Sequence, residues 1–236
     1  MLFGFSFNVV SENASKSIKM SALEFPGIIQ MNKRGAFDLF VSDLMRLADI
    51  SLEYLIMSPA RGAKEFFNAN TECLIPGSLY PSYYAGIDVI HSVSFAKVNY
   101  LAFTLKENEK ITDRAQLHGK VIGIIRSEGT WDYIERFGLQ AHKVVQVSNV
   151  NSLLEMLYKK RIDVAIHDHG DFVNLAKYLD KPLPNFSLEN PIAVDDLVIS
   201  CHNTEVGKKF IKDINPEIKQ ILEQGMEQYY KRSSIQ

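Results

Sequence analysis

Apolar residues recur at helical spacing from Ala36 to Ala48. Phe37, Phe40, Val41, Leu44, Met45 and Ala48 share one face, and Asp38, Ser42 and Arg46 fall elsewhere, which predicts an amphipathic helix. Around it, short apolar runs predict strands over Ser17–Ala22, Leu52–Met57 and Glu72–Ile75, with a short helix at Pro59–Phe67. The middle of the chain is the most regular. Val121–Ile125 reads as a strand, Thr130–Phe137 as a helix stopped by Gly138, and Val144–Val147 as a strand. Val150–Lys160 reads as a helix with Val150, Leu153, Leu154, Leu157 and Tyr158 inward, and Asp163–Ile166 as another strand. Alternating strands and helices at this spacing predict a parallel sheet with right-handed crossovers. Leu197–Cys201 is a further strand. Asn215 followed by Pro216 predicts a helix start, with Ile218, Ile221, Leu222, Met226 and Tyr229 as its buried stripe.

Composition narrows the classes that fit this pattern. The 236 residues, 46% hydrophobic and 23% charged, are enough for one large domain or two lobes, and no apolar run is long enough for a membrane span. A net charge of −2 provides no field for nucleic acid or an anionic membrane. The two cysteines, Cys73 and Cys201, cannot build a disulfide framework or a four-cysteine zinc site. Each lies in or at the end of an apolar run. They either pair in an oxidising compartment or remain buried thiols, and the apolar surroundings favour thiols. Met1–Val10 is apolar but short and not preceded by a basic residue. It reads equally as the tail of a secretory signal or as a loosely packed arm.

Six segments, in this order, resemble the family 3 extracellular solute-binding proteins from about Ser17 to Tyr230. Glu24-Phe25-Pro26 resembles the aromatic-proline loop after the first strand, and Gly35-Ala36-Phe37-Asp38 through Ala48 the first helix. Ile90-His91-Ser92-Val93-Ser94-Phe95 is similar to the segment before the first lobe crossover, and Leu117–Ile124 to the opening of the second lobe. Leu154–Ile166 resembles the "L-x-x-G-R-x-D-A-V" run, and Asp168 follows where the family often has an aspartate. The resemblance implies an α/β, two-lobed periplasmic binding protein type II fold with a ligand cleft between the lobes and two crossover hinge segments. Residues 1–102 plus 197–236 would form a discontinuous first lobe and 103–196 an inserted second one, with hinges near Phe103 and Asp196. It further implies a monomeric periplasmic or extracellular protein that takes a small-molecule ligand, with a membrane permease or a sensor kinase as partner.

A cleft of this kind needs aromatic walls and a few orienting polar groups. Phe25, Tyr80, Tyr83 and Tyr84 are the candidate walls, with packing on their own lobe or in a surface turn as the alternative. Family members that bind amino acids fork an arginine onto the ligand carboxylate. The stretch aligned with that arginine is Tyr83-Tyr84-Ala85-Gly86-Ile87, which contains none, and this argues against an ordinary amino acid ligand. Arg126 with Ser127 and Thr130, leading into a helix start, offers a substitute anion site, unless Arg126 pairs with an acid such as Glu128. The resemblance gives Asp168 the ligand's ammonium group, against a capping role. Ser92, Ser94 and Trp131 are weaker candidates.

Other classes have less behind them. His167 and His169, two apart at a strand end with Asp168 between, could hold zinc, but no third cluster supports this, and neither metal nor cofactor is expected. No catalytic motif is present. Cys73 lies in a buried strand, and His91 beside Ser92 reads as a structural histidine before a base. The fold also hosts lyase or dehydratase enzymes and sensor modules, and these remain the alternatives to solute delivery.

Overall fold

A computed structural model describes residues 17–25, 27–126, 133–140 and 142–234. Met1–Val10, Ser127, Thr130 and Trp131 lie outside the described residues. In chain order the strands are β1 (Ile18–Leu23), β2 (Leu52–Met57), β3 (Cys73–Ser78), β4 (Val89–His91), β5 (Ala96–Phe103), β6 (Val121–Ile125), β7 (Lys143–Val147), β8 (Val164–Asp168) and β9 (Ala193–His202). The helices are α1 (Ala36–Ala48), α2 (Pro59–Phe67), α3 (Tyr133–Arg136), α4 (Val150–Tyr158), α5 (His169–Tyr178), α6 (Glu205–Gln224) and α7 (Glu227–Ser234). None of the described helices is long and apolar enough to cross a membrane.

Two groups of parallel strands are joined by two long antiparallel ones. β1 pairs in parallel with β2 and β3, and β6 pairs in parallel with β7 and β8. Between them run β5 and β9. Ala96–Tyr100 of β5 pairs with Ala193–Leu197 of β9, and Tyr100–Phe103 then pairs with Ala165–Asp168 of β8. The other half of β9 pairs with β3 and β4. Both strands therefore lie in the middle of one continuous nine-stranded sheet, and the chain crosses between the groups at these two places only among the described residues.

Separate cores follow from this layout. In the first group, Met20, Phe40, Phe95, Ile199, Phe210 and Ile214 lie at the centre of one cluster under α1, α6 and α7. The Phe95 ring stacks on Phe40 at 4.8 Å and meets Phe37 edge-on at 5.1 Å, arrangements that suit the ring quadrupole. Leu23, Phe66, Leu74 and Tyr84 form a smaller cluster on the opposite face, beneath α2. The second group buries both faces as well, one around Ile122, Phe137 and Ile166, the other around Phe103, Leu153, Leu157 and Phe172.

Most predicted elements are present at or within a few residues of their expected bounds, and Gly138 has the expected left-handed φ of 67°. Three readings are corrected. First, Cys73 and Cys201 are not free thiols. They face each other in the β3–β9 ladder, with Cα atoms 4.0 Å apart, and form a disulfide. Apolar flanks bury both the thiol and the disulfide form, so they could not discriminate between the two.

Second, Pro216 does not start a helix. It lies inside α6, which begins after Thr204, whose hydroxyl accepts the Gly207 N–H. Pro216 and Lys212, one turn earlier, both face solvent, so water can satisfy the carbonyl that proline leaves without a partner. Asn215 acts outside its own helix, where its Oδ1 accepts the Val93 N–H at 2.8 Å. Third, Leu222 is exposed rather than part of the buried stripe.

Candidate functional site

The carboxyl ends of β1 and β3 in one group and of β6 and β8 in the other are where α/β sheets hold ligands. After β1 the chain makes a tight loop. Phe25 and Ile29 exchange backbone hydrogen bonds at 3.0 Å, and the buried Asp38 carboxylate accepts the N–H groups of Gln30 and Gly35 at 2.8 and 2.9 Å. Its other oxygen accepts the Tyr54 hydroxyl, whose pKa is raised by burial and then by Asp38 itself. Gly35 is required here, because a Cβ would lie 2.3 Å from the Ile28 carbonyl oxygen. The loop opens a shallow depression lined by Glu24, Ile29, Gln30, Met31 and Asn32. Phe25 is half-buried and packs toward the Leu23–Phe66–Tyr84 cluster of its own sheet.

The turn after β3 separates the tyrosines. Tyr84 is only 1% exposed. Its hydroxyl oxygen lies 2.6 Å from both Ser78 O and Ser200 Oγ, and accepts the Ser78 N–H at 2.9 Å. Burial raises its pKa to about 12, against the lowering effect of the Ser200 and Ser78 hydrogen bonds. Ser200 Oγ in turn meets His91 Nδ1 at 3.0 Å, and burial lowers the His91 pKa. Tyr84 is thus a core residue of the first group and not a cleft wall. Tyr80 is the opposite case, nearly half exposed, with its ring turned toward the second group.

Ser92 is also spent within the fold. Its hydroxyl donates to Val93 O at 2.8 Å and accepts the Ile199 N–H at 2.9 Å, which ties the chain before β5 to β9 and leaves the side chain buried. Ser94 Oγ donates to Asp196 Oδ1 at 2.9 Å in the same region.

On the second group, Arg126 follows β6, is exposed, and gives its N–H to Val147 O at 2.7 Å. Its proposed companions Ser127 and Thr130 lie outside the described residues. Asp168 ends β8 and caps α5, accepting the Asp171 N–H at 3.0 Å. Its pKa is raised, first by burial and also by the Asp171 carboxylate, while backbone N–H groups and His167 oppose this. Tyr230 of α7, in the first group, has its pKa raised by burial and then by the Asp168 charge. His167 lies 3.7 Å from Asp171, whereas the His169 ring packs on Phe186 at 4.9 Å, so the two imidazoles have different partners. Among the described residues no three His, Cys, Asp or Glu side chains are grouped to hold a metal ion.

One constellation was not anticipated from the sequence. Arg136 at the end of α3 forms an ion pair with Asp195 of β9, and the two side chains are only 5% and 4% exposed. The guanidinium carbon stands 5.2 Å from the ring centres of both Tyr80 and Tyr100, and 5.9 Å from that of Phe137. An arginine at the end of a short helix ordinarily reads as solvated, and nothing in its neighbours along the chain marks it otherwise.

No protein-family model matches the chain, and no curated protein matches it in sequence. Solved structures do match in shape. The GluR0 ligand-binding core in complex with L-glutamate superposes with a TM-score of 0.73 at 14% identity, covering 93% of this chain and 98% of that one. The fold is that of a type II periplasmic binding protein. The VFT2 domain of BvgS from Bordetella pertussis shares this binding-protein fold at a TM-score of 0.69 and 12% identity, over 92% of each chain. So does an ancestral amino-acid-binding protein, a precursor of cyclohexadienyl dehydratase, at 0.67 and 12%, over 92% of this chain and 94% of that one. In a binding protein of this fold, β5 and β9 are the two crossover segments, and the strand ends described above face the cleft between the lobes.

Proposed function

We propose that this protein binds a small polar or zwitterionic solute in the cleft between its lobes and delivers it to a membrane permease. The supporting observation is Asp168. It is a carboxyl at the carboxyl end of an interior strand, and its charge is disfavoured by burial. Such a group gains from a cationic partner, because a bound ammonium adds to the backbone N–H groups and His167 in offsetting the cost of desolvation. Tyr80 would supply an aromatic wall, and Arg126 with Ser127 and Thr130 an anion contact from the second lobe. Tyr84 and Ser92 would act behind the surface, holding the turn and the hinge in place. Because Tyr83–Ile87 lacks an arginine, the ligand is a solute other than a standard amino acid.

Lobe boundaries at 1–102 plus 197–236 and 103–196 fall inside β5 and β9, the two strands that join the two parallel groups. We place the protein, as a monomer, in the periplasm or outside the cell. The Cys73–Cys201 disulfide supports that placement, since such bonds persist in oxidising compartments. A sensor role is the second reading, favoured by the likeness to a histidine kinase sensor domain at a TM-score of 0.69 and 13% identity.

The test is a thermal-shift screen of refolded protein against amino acids, small carboxylates, phosphorylated compounds, polyamines and aromatic metabolites. A solute that binds only the native state raises the melting temperature in a dose-dependent way. A shift confined to compounds with an ammonium group, lost in Asp168→Asn, is the expected result. No shift across the panel would remove the solute-binding reading.

A further inference from the structure

Arg136 and its surroundings have the composition of a site for a cation. Two tyrosine rings lie 5.2 Å from the guanidinium carbon, and a carboxylate 4% exposed lies against its edge. Aromatic faces and a carboxylate are what a planar cation binds best when it is removed from water. The four residues come from four parts of the fold: Tyr80 from the turn after β3 in the first lobe, Tyr100 and Asp195 from the two crossover strands, and Arg136 from α3 in the second lobe. The carboxylate is not saturated by the described residues, among which the buried Asp195 Oδ2 has no hydrogen-bond partner.

We infer that Tyr80, Tyr100 and Asp195 form a guanidinium-binding cage that the chain fills with its own Arg136, so that the lobes are held together without any solute. The argument is one of differential contact. Tyr100 pairs with Asp168 of β8 and packs on Phe137 at 5.0 Å, and Asp195 lies on the part of β9 beside it. Both therefore stay with α3 however the lobes are oriented, whereas Tyr80 belongs to the other lobe and reaches Arg136 only when the cleft is shut. The Tyr80–Arg136 contact therefore exists in one state and not in the other, which is the condition for shifting the balance between them. Arg136 is an internal stand-in for a ligand head group.

The latch requires no solute, so its test is independent of the thermal-shift screen. Small-angle scattering would be recorded from the wild-type chain, Tyr80→Ala and Arg136→Ala, each with and without methylguanidinium. Tyr80 is half exposed, so its truncation leaves the fold intact and should increase the radius of gyration, methylguanidinium having little effect. Arg136→Ala should also expand and should lose about 5–10 °C in melting temperature, because Asp195 is left buried and unpaired. Methylguanidinium should recover part of that melting temperature while leaving the wild-type value unchanged.

If Tyr80→Ala scatters like the wild type, the contact does not hold the lobes. If methylguanidinium moves Arg136→Ala no more than it moves the wild type, the cage is not a cation site. Should Arg136→Ala not fold in buffer, refolding it with and without methylguanidinium decides the second point. Equal recovery in the two conditions overturns the cage.

Discussion

Cys73 and Cys201 are a facing pair in the β3–β9 ladder, bonded to each other across 128 residues of chain. The bond closes a loop that contains the whole second lobe, so it restricts the unfolded chain far more than the folded one. Replacing both cysteines by alanine should lower stability by about 2–5 kcal/mol. Urea denaturation under non-reducing conditions would show this as a lower midpoint. An unchanged midpoint would mean that the pair does not cross-link the protein.

The hydroxyl of Tyr84 serves Ser78 and Ser200 at once. Tyr84→Phe keeps the ring but leaves buried polar groups unpaired, which costs about 1–3 kcal/mol. Solute binding should survive, because the ring lies beneath the cleft surface. Gly77→Ala should be worse, since its Cβ would fall 2.1 Å from Ser200 Oγ. Equal midpoints for wild type and Tyr84→Phe would show that the network contributes little.

His91 predicts a dependence on pH. Burial lowers its folded pKa below the ordinary 6.5, so the unfolded chain takes up a proton first as the solution is acidified. The contribution from neutral His91 is therefore complete above that value and is lost as pH falls through the window beneath it. Melting temperatures measured across that window should fall more steeply for the wild type than for His91→Gln. Parallel curves would exclude His91 as the source.

Asp168 works in the other direction. Its folded pKa is raised, so the folded chain keeps its proton longer, and stability declines as pH rises from the ordinary aspartate range to the raised value. Asp168→Asn retains a competent helix cap and removes the buried charge. The variant should be more stable than the wild type near neutral pH while binding an ammonium-bearing solute less well. A variant that is less stable at neutral pH would show that the cap needs the charge.

Much of the architecture was legible because apolar spacing reports which face of an element is buried. The α1 stripe of Phe37, Phe40, Val41 and Leu44 is buried as its period requires. β5 was not legible for a physical reason. Its first half alternates as a half-exposed strand, and its second half, Leu101–Phe103, is apolar throughout because both faces are covered. A segment with two environments has no single period. The candidate residues divide in a similar way. Tyrosines and serines near strand ends can be picked out by type, but type does not say which hydroxyl turns inward, and Tyr84 and Ser92 both do. Arg136 and Asp195 lie far apart along the chain, and their meeting depends on two crossovers that no local pattern encodes.

The path of β9 also fixes an order of events during synthesis. The first lobe cannot complete its sheet until β9 is made, nor cover its core until α6 and α7 follow, although its first three strands emerge early. The second lobe emerges whole in the interval. Cys73 therefore has no partner to bond with until the 128 positions to Cys201 have been translated, about 6–25 s at typical bacterial and eukaryotic elongation rates. Until β9, α6 and α7 exist, the β3 edge that pairs with β9 has no partner, and the core shared with α1 lacks Phe210, Ile214 and Tyr229.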